Sequence, residues 1–476
     1  MKKILFLQEL EFEFLGVMYI SAVIKNAGHN CKLLFLNRIK NLDDEIKKYQ
    51  PDIVAASIMT GIHKNIISAF AQIKKNNPNI ITLAGGAHTT FFPECISNPA
   101  IDAICLGEGE KSIKTFLDEL DNIKKNNIPD IPNFYIKSKD GEIKKCSQFN
   151  KYILNLDELP FPDREIYYEH KFMYNIPTRS VIAGRGCPYK CGFCFNEKYT
   201  ELFGKKQYCR FRSPQNIISE MKLILSRYPT NSFHFMDDTF IMNKKWLLEF
   251  LEIYRKEINI PFICLGTANA IDKEIALSLK KSNCHSIFFG IEAGNEDYRI
   301  KILNKPIKNS DIINTAKILK KYKLPFKAFN ILGFPGETLG QCWETVKLNI
   351  QIKTDYPWCA LFAPYPGTKL CEYAIQLGEL PKNYSPDEIP ISFHQRSILK
   401  NQDIKKIENL HKFFQTAVLL PFTMPLIKLL IKFPANKLFD YWFGLIYFLV
   451  YYRAEKRNFT KTLMFGLKNL KFLIKK

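Results

Sequence analysis

Short apolar segments alternate with helical patterns in two separate series along this chain of 476 residues. In the first series, strand patterns occupy residues 3–7, 31–36, 53–58, 80–84 and 101–106, and helical patterns occupy 17–27, 65–75 and 111–120. Strands that alternate with helices predict a parallel sheet with helices on both faces. Residues 1–130 are therefore predicted to form a doubly wound α/β domain of the flavodoxin or Rossmann kind.

The second series predicts a different α/β architecture. Its strand patterns occupy residues 180–183, 232–236, 262–267, 286–291, 326–332 and 358–362. A helical stretch follows each of the first five strand patterns. Such units predict a partial (β/α)6 barrel, whose functional residues should follow the carboxyl ends of the strands. We assign this barrel to residues 173–400.

Residues 131–172 connect the two predicted domains. A turn signal at 139–142 separates two strand patterns, which predicts a small hairpin. Pro160 and Pro162 follow, and neither can continue a helix, so this part is predicted to be an extended linker.

The C-terminal region, residues 401–476, combines a helical pattern with an apolar, aromatic stretch at 441–452. Those twelve residues fall well short of the ~20 that a membrane-spanning helix needs. Basic residues surround the stretch: Lys428, Lys432, Lys437, Arg453, Lys456 and Arg457. Two interpretations stay open, a helical cap packed on the barrel and an interfacial contact with a membrane.

The formal net charge of +21 is spread along the whole chain, together with abundant lysine, isoleucine and asparagine. A compositional bias explains this pattern better than a nucleic-acid site does, and we expect no nucleic-acid partner. The thirteen cysteines are scattered and odd in number. The first apolar run, at 4–7, is too short for a signal peptide. A reducing cytoplasm is therefore the expected location.

Three cysteines lie on one short loop directly after the first strand of the second series. Cys187, Cys191 and Cys194 stand in the segment Gly-Cys-Pro-Tyr-Lys-Cys-Gly-Phe-Cys. Each thiolate can bind a different iron of a [4Fe–4S] cube, which leaves the fourth iron open to a small molecule. A structural zinc site would need a fourth ligand. Cys146 and Cys209 are available, but no spacing argument favours either.

The Cys-x3-Cys-x2-Cys loop, with Phe193 before its last cysteine, resembles the signature of the radical S-adenosylmethionine (SAM) superfamily. In that superfamily the open iron is chelated by the amino and carboxylate groups of SAM. One electron from the reduced cluster then cleaves SAM to a 5′-deoxyadenosyl radical. The resemblance implies an external electron donor of the flavodoxin or ferredoxin type. It places Phe193 on the adenine side of the pocket, with a plain core aromatic as the alternative.

The resemblance continues at the ends of later strands. Asp237 and Asp238 follow the second strand, where the superfamily receives the methionine amine, although one of them could instead cap a helix. Glu292 follows the fourth strand in a segment similar to the family's Gly-Ile-Glu-Ser-Gly pattern, which implies a contact with the ribose or the methionine. Asn330 and Gly333 belong to a segment that resembles the fifth-strand motif, whose backbone pairs with adenine.

Glycine-rich loops in the first domain resemble the cobalamin (B12)-binding domain fused to many radical SAM enzymes. The residues that carry this resemblance are Gly85, Gly86, His88, Thr89, Gly107, Glu108 and Gly109. Such loops lie beyond the carboxyl ends of parallel strands, where α/β sheets bind cofactors. The Asp-x-His-x-x-Gly motif that supplies a cobalt-binding histidine elsewhere is absent. A phosphate-binding or purely structural domain is the alternative.

A radical initiator and cobalamin in one chain imply methyl transfer to an unactivated carbon or phosphorus centre. A radical oxidoreductase or cyclase without net methylation is the alternative. An RNA-modifying methylthiotransferase is less consistent, because Cys31, Cys95 and Cys105 are too dispersed for a second cluster. The substrate is expected to be a small molecule or a lipid, and the tail allows a peripheral contact with the inner face of the membrane.

Overall fold

The structure is a computed structural model that describes residues 1–206, 208–455, 459, 460, 463 and 466. The chain divides into two units, each with its own core. Met1–Pro177 and Tyr199–Arg210 form the N-terminal unit. Thr178–Lys198 and Phe211–Lys476 form the second, which we call the barrel unit.

Among the described residues, the sheet of the N-terminal unit has seven strands, in the order β2-β1-β3-β4-β5-β6-β7. The strands are β1 (Lys3–Gln8), β2 (Asn30–Phe35), β3 (Ile53–Ser57), β4 (Ile81–Gly85), β5 (Ala103–Cys105), β6 (Phe134–Lys137) and β7 (Ile143–Lys145). Strands β1 to β5 are parallel in the flavodoxin order, which confirms the predicted doubly wound class. The predicted hairpin, β6 and β7, extends this sheet in antiparallel fashion.

Helices follow the parallel strands of this unit and cover the sheet. They are α1 (Leu15–Asn26), α2 (Leu42–Tyr49), α3 (His63–Asn76), α4 (Ala87–Phe91), α5 (Ser112–Asp118), α6 (Leu120–Lys124), α7 (Glu165–Tyr168) and α8 (Lys171–Tyr174). The sequence pattern missed α2, because it buries only Leu42 and Ile46. Its start is set by Asn41, whose side chain accepts a hydrogen bond from the backbone of Asp43.

The barrel unit is built on parallel strands, and its described part shows a sheet in the order β8-β11-β12-β13-β14-β15. These strands are β8 (Thr178–Val181), β11 (Ser232–Phe235), β12 (Phe262–Gly266), β13 (Cys284–Glu292), β14 (Phe326–Leu332) and β15 (Tyr356–Leu361). The short strands β9 (Gly184–Arg185) and β10 (Arg210–Phe211) follow β8 in the chain. All six predicted barrel strands are present within two residues of their expected ends, and each contributes buried apolar side chains to the core.

The remaining helices follow β9 along the chain, and the first of them continues from the barrel unit into the N-terminal unit. They are α9 (Phe195–Phe203), α10 (Pro214–Arg227), α11 (Lys244–Glu257), α12 (Lys273–Lys281), α13 (Glu296–Lys301), α14 (Asn309–Lys321), α15 (Leu339–Gln351), α16 (Lys369–Gln376), α17 (Ile404–Leu419), α18 (Met424–Leu430) and α19 (Lys437–Ala454). Phe233, Phe250 and Ile287 belong to the fully buried core between the strands and helices.

Helix α17 covers the edge of β15, the last strand in the sheet order. An uncovered edge strand presents unpaired backbone groups. The Gln415 side chain donates a hydrogen bond to the Pro357 carbonyl at 3.0 Å. One turn earlier, His411 Nε2 lies 3.2 Å from the Cys359 carbonyl. Side chains of one helix therefore occupy alternate carbonyls along the strand, where a further barrel strand would otherwise pair.

This edge cover should make the barrel unit sensitive to acid. Burial, followed by the charges of Lys412 and Lys327, lowers the pKa of His394 to about 3. Burial also lowers the pKa of His411, which lies 3.2 Å from His394. The unfolded chain therefore binds these protons first as the pH falls. The free energy of unfolding is highest above the unfolded pKa of ~6.5. Below it, each histidine lowers this free energy by about 1.4 kcal/mol per pH unit towards pH 3.

Urea unfolding of the wild type and a His394→Gln variant between pH 7.5 and 5 would measure this effect. We expect a shallower decline with acid for the variant, because it lacks one titrating group. Parallel pH profiles for the two proteins would contradict the assignment.

The C-terminal region packs on the barrel through α17, of which Ile407, Leu410 and Phe414 are fully buried. This packing agrees with the predicted helical cap. Among the described residues, no helix combines the length and hydropathy needed to cross a bilayer. Lys456 and Arg457, two of the predicted basic flanks, lie outside the described residues.

Candidate active site

The cysteine loop, residues 186–194, is held in place by backbone hydrogen bonds within the barrel unit. The Cys194 amide donates to the Cys191 carbonyl at 2.9 Å, which closes a turn between the two cysteines. Gly192 donates to the Leu303 carbonyl and accepts from the Leu370 amide, both at 2.9 Å. A Cβ on Gly192 would lie 3.1 Å from Leu370 Cδ1, so the close approach needs glycine. The loop is therefore anchored to two other segments.

The three thiols lie in a partly buried, polar setting. Burial raises the pKa of Cys187 to about 12 and that of Cys191 to about 11, and it raises the pKa of Cys194 as well. A bound metal replaces the thiol proton, and this chemistry offsets the cost of forming a buried thiolate. The Asn196 amide lies 3.5 Å from Cys194 Sγ and donates to it. The donor set suits an iron–sulfur cluster.

A structural zinc site would need four ligands that converge on one ion. In the described part of the chain, no three His, Cys, Asp or Glu side chains are arranged to share one metal ion. A [4Fe–4S] cube makes a different demand, because each thiolate binds its own iron. The loop thus fits the cluster that the sequence predicts.

Asp237 and Asp238, predicted together as ligand contacts, have different environments. Asp237 is buried, and its Oδ1 accepts from the Gly184 amide at 2.6 Å, while both its oxygens lie within 3.2 Å of the Ala183 amide. Burial raises the pKa of Asp237 to about 7. Asp237 therefore ties the end of β11 to the chain just before the cysteine loop. Asp238 keeps an accessible surface, but burial of its surroundings raises its pKa, and the Asn196 side chain hydrogen-bonds to it. It also lies close enough to Cys187 to affect that thiol electrostatically.

Glu292 forms a buried ion pair that the sequence does not reveal. Lys305 Nζ donates to Glu292 Oε1 at 2.7 Å, and the two side chains are only 9% and 11% exposed. A Cβ on Gly290 would lie 1.8 Å from that oxygen, so glycine is required beneath the pair. Burial opposes the charge on Lys305, but Glu292 and Cys191 raise its pKa overall. No motif or spacing in the sequence links Lys305 to Glu292, so sequence reasoning missed this residue.

The predicted adenine segment consists of a largely buried turn after β14 and an interior side chain within that strand. Gly333 has a φ of 75°, and its amide donates to Glu337 Oε2 at 2.8 Å. Burial raises the pKa of Glu337 to about 7. Phe193 is partly buried, and its ring centroid lies 6.0 Å from that of Phe334. Asn330 lies in the interior, where its side chain donates to the Trp358 carbonyl at 2.9 Å.

In the N-terminal unit, the loop after β4 needs a glycine at position 86 for close packing. Gly86 has a φ of 90°, and a Cβ there would lie 2.7 Å from Ser57 Oγ. His88 is buried, with Nδ1 3.2 Å from Thr60 Oγ1 and its ring stacked on His63 at 4.1 Å. The Thr89 hydroxyl, also buried, donates to the carbonyls of Gly86 and Cys105 at 3.1 Å. These side chains shape the loop from the inside.

Thr90 Oγ1 accepts from the Gly107 amide at 3.0 Å, which brings the loops after β4 and β5 together. A Cβ on Gly107 would lie 2.7 Å from the Phe203 ring. The next residue, Glu108, accepts from Arg210 through both carboxylate oxygens, at 2.6 and 3.0 Å. The predicted cofactor residue Glu108 thus has an internal cation as partner. Sequence reasoning missed Phe203 and Arg210, which lie about a hundred residues away.

The backbone at Gly85 has open space beside it, which a flat cofactor could approach. A Cβ on Gly85 would meet only Cys105 Cβ, at 4.0 Å. Gly109 is tighter, since a Cβ there would lie 3.0 Å from Cys105 Sγ. The backbone at Gly85, at the carboxyl end of β4, is therefore open to a flat group, and ligands of flavodoxin-like sheets bind at this end of the strands. The residues fit the group, with the backbone of these loops as its main contact.

Comparison with known proteins identifies both domains. The family model of the radical SAM superfamily matches residues 181–348, and that of the B12 binding domain matches residues 8–117. An uncharacterised methyltransferase of Pyrococcus horikoshii is 31% identical over 373 residues, which cover 76% of this chain and 78% of that protein. Cytidylyl-2-hydroxyethylphosphonate methyltransferase of Streptomyces wedmorensis is 26% identical over 424 residues, with the same coverage of 76% and 78%.

Among solved structures, the fold is similar to that of OxsB, a cobalamin-dependent SAM radical enzyme with aqua-cobalamin and SAM bound. The TM-score is 0.66 at 16% identity, and the match covers 98% of this chain and 72% of that chain. The predicted fold class, enzyme class and cofactors are thereby confirmed: a [4Fe–4S] cluster, SAM and cobalamin. The chain belongs to the radical SAM superfamily, among its members that carry an N-terminal B12-binding domain.

Proposed function

We propose that this enzyme is a cobalamin-dependent radical methyltransferase that acts on an unactivated carbon or phosphorus centre. The observation that carries the proposal is the anchored loop with Cys187, Cys191 and Cys194 in a chain that also has a B12-binding domain. Two relatives that match along three quarters of this chain are methyltransferases by name. When bound, the cluster supplies the electron that cleaves SAM, and cobalamin supplies the methyl group.

The residues of the barrel unit hold and orient the reactants. The cysteine loop supplies three thiolates, and Asp237 fixes the backbone that leads into it. Asp238, exposed beside the loop, is the carboxylate available to the amine of SAM. Glu292 is held by Lys305 at 2.7 Å, so its carboxylate keeps one orientation for a hydroxyl group of the ligand.

An aromatic wall near the loop limits the access of water. Phe193 packs with a buried cluster that includes Tyr298, Phe334 and Phe362. The amides of Gly333 and Phe334 are oriented by Glu337 Oε2 at 2.8 and 3.1 Å, which fixes the turn after β14. A dry, rigid wall protects a radical from side reactions with solvent. Phe193 and this turn are therefore the proposed adenine contacts.

As a radical SAM enzyme, the chain needs an external electron donor and a small-molecule substrate. We infer a donor of the flavodoxin or ferredoxin type and a substrate that is a small molecule or a lipid. The location that accompanies this function is the cytoplasm, with the C-terminal region at the inner face of the membrane.

The decisive test uses anaerobically reconstituted enzyme, a strong reductant and SAM that carries a trideuteromethyl group. The enzyme is incubated with polar and lipid extracts, and products are analysed by mass spectrometry. We expect one trideuteromethyl group in a product, with S-adenosylhomocysteine and 5′-deoxyadenosine formed beside it. 5′-Deoxyadenosine and an altered but unlabelled product would instead indicate the oxidoreductase or cyclase alternative.

A Cys191→Ala variant separates the two half-reactions. This variant should still form S-adenosylhomocysteine when cobalamin is methylated, because that transfer needs no cluster electron. It should form no 5′-deoxyadenosine. Equal 5′-deoxyadenosine from the variant and the wild type would contradict the proposal.

A further inference from the structure

A set of large apolar side chains is exposed after helix α17. Within the described residues, this tail surface comprises Leu419, Leu420, Phe422, Leu426, Leu429, Phe433, Leu438, Tyr441, Trp442 and Leu445. Their exposed fractions range from 40% for Trp442 to 79% for Phe422. Single exposed apolar residues need no explanation, but ten exposed large apolar side chains between residues 419 and 445 indicate an interaction site.

Helix α18 shows that these side chains are not needed for the packing of the fold. Ile427 and Ile431 lie on one side of the helical segment and are buried in the core with α17. Leu426 and Leu429 lie in α18 and Phe433 lies in the turn that follows it, and all three side chains are more than half exposed. The buried side chains already hold the segment against α17. Packing within the fold therefore does not explain why its exposed side chains are apolar.

Helix α19 repeats this arrangement. Phe443 and Val450 are buried on its inner face. Leu438, Tyr441 and Leu445 lie on its outer face at i, i+3 and i+7, and each is more than half exposed. A helix that is apolar on opposite faces has two apolar environments to satisfy.

Helix α17 fixes the tail surface in a definite conformation. Asn409 donates to the Phe433 carbonyl at 2.8 Å, which holds the end of the α18 segment. Lys412 pairs with Asp440 at 3.0 Å, with both side chains largely buried, near the start of α19. The Trp442 indole donates to Thr416 Oγ1 at 2.8 Å. Both outer helices are thus attached to the same rigid helix.

The charges beside the tail surface are all positive. Lys428, Lys432 and Lys437 are exposed, and no acidic residue occurs between positions 419 and 439. The next acid, Asp440, is already paired with Lys412. A second copy of this chain would bring equal positive charges together, because a twofold interface is self-complementary. A negatively charged partner with an apolar interior fits better.

We propose that the tail surface docks on the interface of an anionic phospholipid membrane. Leucine and phenylalanine side chains enter the boundary between headgroups and acyl chains, and tryptophan and tyrosine lie at headgroup depth. Lys428, Lys432 and Lys437 contact lipid phosphates. The proposal goes beyond the methyl transfer and does not depend on it, since binding is measured without turnover.

Flotation of the full-length, reconstituted enzyme with vesicles tests the electrostatic part. We expect binding to vesicles of phosphatidylcholine with phosphatidylglycerol, and much weaker binding to phosphatidylcholine alone. A triple variant with Lys428→Gln, Lys432→Gln and Lys437→Gln should bind the anionic vesicles about a hundredfold more weakly. Added salt should weaken binding of the wild type.

A second variant tests the apolar part, with Leu426→Ser, Leu429→Ser and Phe433→Ser. The matched control carries Leu277→Ser and Leu377→Ser, which are exposed at 36% and 45% elsewhere in the barrel unit. Only the first set should lose vesicle binding, with thermal unfolding of both checked against the wild type. Equal binding to neutral vesicles would overturn the proposal. Self-association in sedimentation without vesicle binding would overturn it as well, and would assign the surface to a second copy.

Discussion

Replacing any one of Cys187, Cys191 and Cys194 with alanine should remove the iron–sulfur cluster and all reductive cleavage of SAM. Each thiolate binds its own iron, and a cube left with two protein ligands loses its attachment to the loop. The Gly192 backbone contacts that fix the loop do not involve these side chains, so the fold should persist. We expect iron to fall from about four per chain to background, measured with sulfide and 5′-deoxyadenosine.

Cys146→Ala and Cys209→Ala are the matched controls for this prediction. The sequence left both cysteines as candidates for a fourth zinc ligand, and the structure places both in the N-terminal unit. Each variant should keep wild-type iron, sulfide and 5′-deoxyadenosine. If either control lost its iron, a closed four-thiolate site would be indicated, and the fourth iron would not be open to SAM.

Replacing Lys305 with methionine should destabilise the barrel unit by about 3–5 kcal/mol. The change leaves the Glu292 carboxylate buried without its cation, at the position where the two groups now lie 2.7 Å apart. A Glu292→Gln change in the same chain removes the orphaned charge. The double variant should therefore recover most of the lost free energy of unfolding. Urea unfolding of the cofactor-free proteins would measure all three.

Lys301→Met is the control for the buried pair. Lys301 pairs with Asp297 at 2.9 Å, but these side chains are 70% and 81% exposed. Water screens such a pair, and its removal should change the free energy of unfolding by less than ~0.5 kcal/mol. If Lys305→Met had an equally small effect, Glu292 would not be held by the ion pair in the way proposed for ligand binding.

The secondary structure could be read from the sequence where burial is continuous. The six barrel strands could be predicted because each carries apolar side chains that become buried, although β8 and β11 also contain polar residues. Helix α2 was missed because it is short and polar, with two buried side chains. Local patterns therefore predict elements that contribute a full face to a core, and they miss elements that contribute little.

Only part of the candidate active site could be predicted from the sequence. The spacing of Cys187, Cys191 and Cys194 is local, and a short loop brings thiolates together whatever surrounds it. Lys305 and Arg210 could not be found in this way. Arg210 pairs with Glu108 across 102 positions of the chain, and a contact of that range leaves no periodic trace.

By itself, the sequence determined the order of the elements, the doubly wound and barrel classes and the cluster loop, because these follow from short-range patterns. Only the tertiary structure decided what each polar side chain does. It assigned Asp237 to the backbone and left Asp238 exposed beside the cysteines. It also exposed one apolar face of α19 and buried the other. The physical reason is that burial and hydrogen-bond partners are set by segments that meet only in the folded chain.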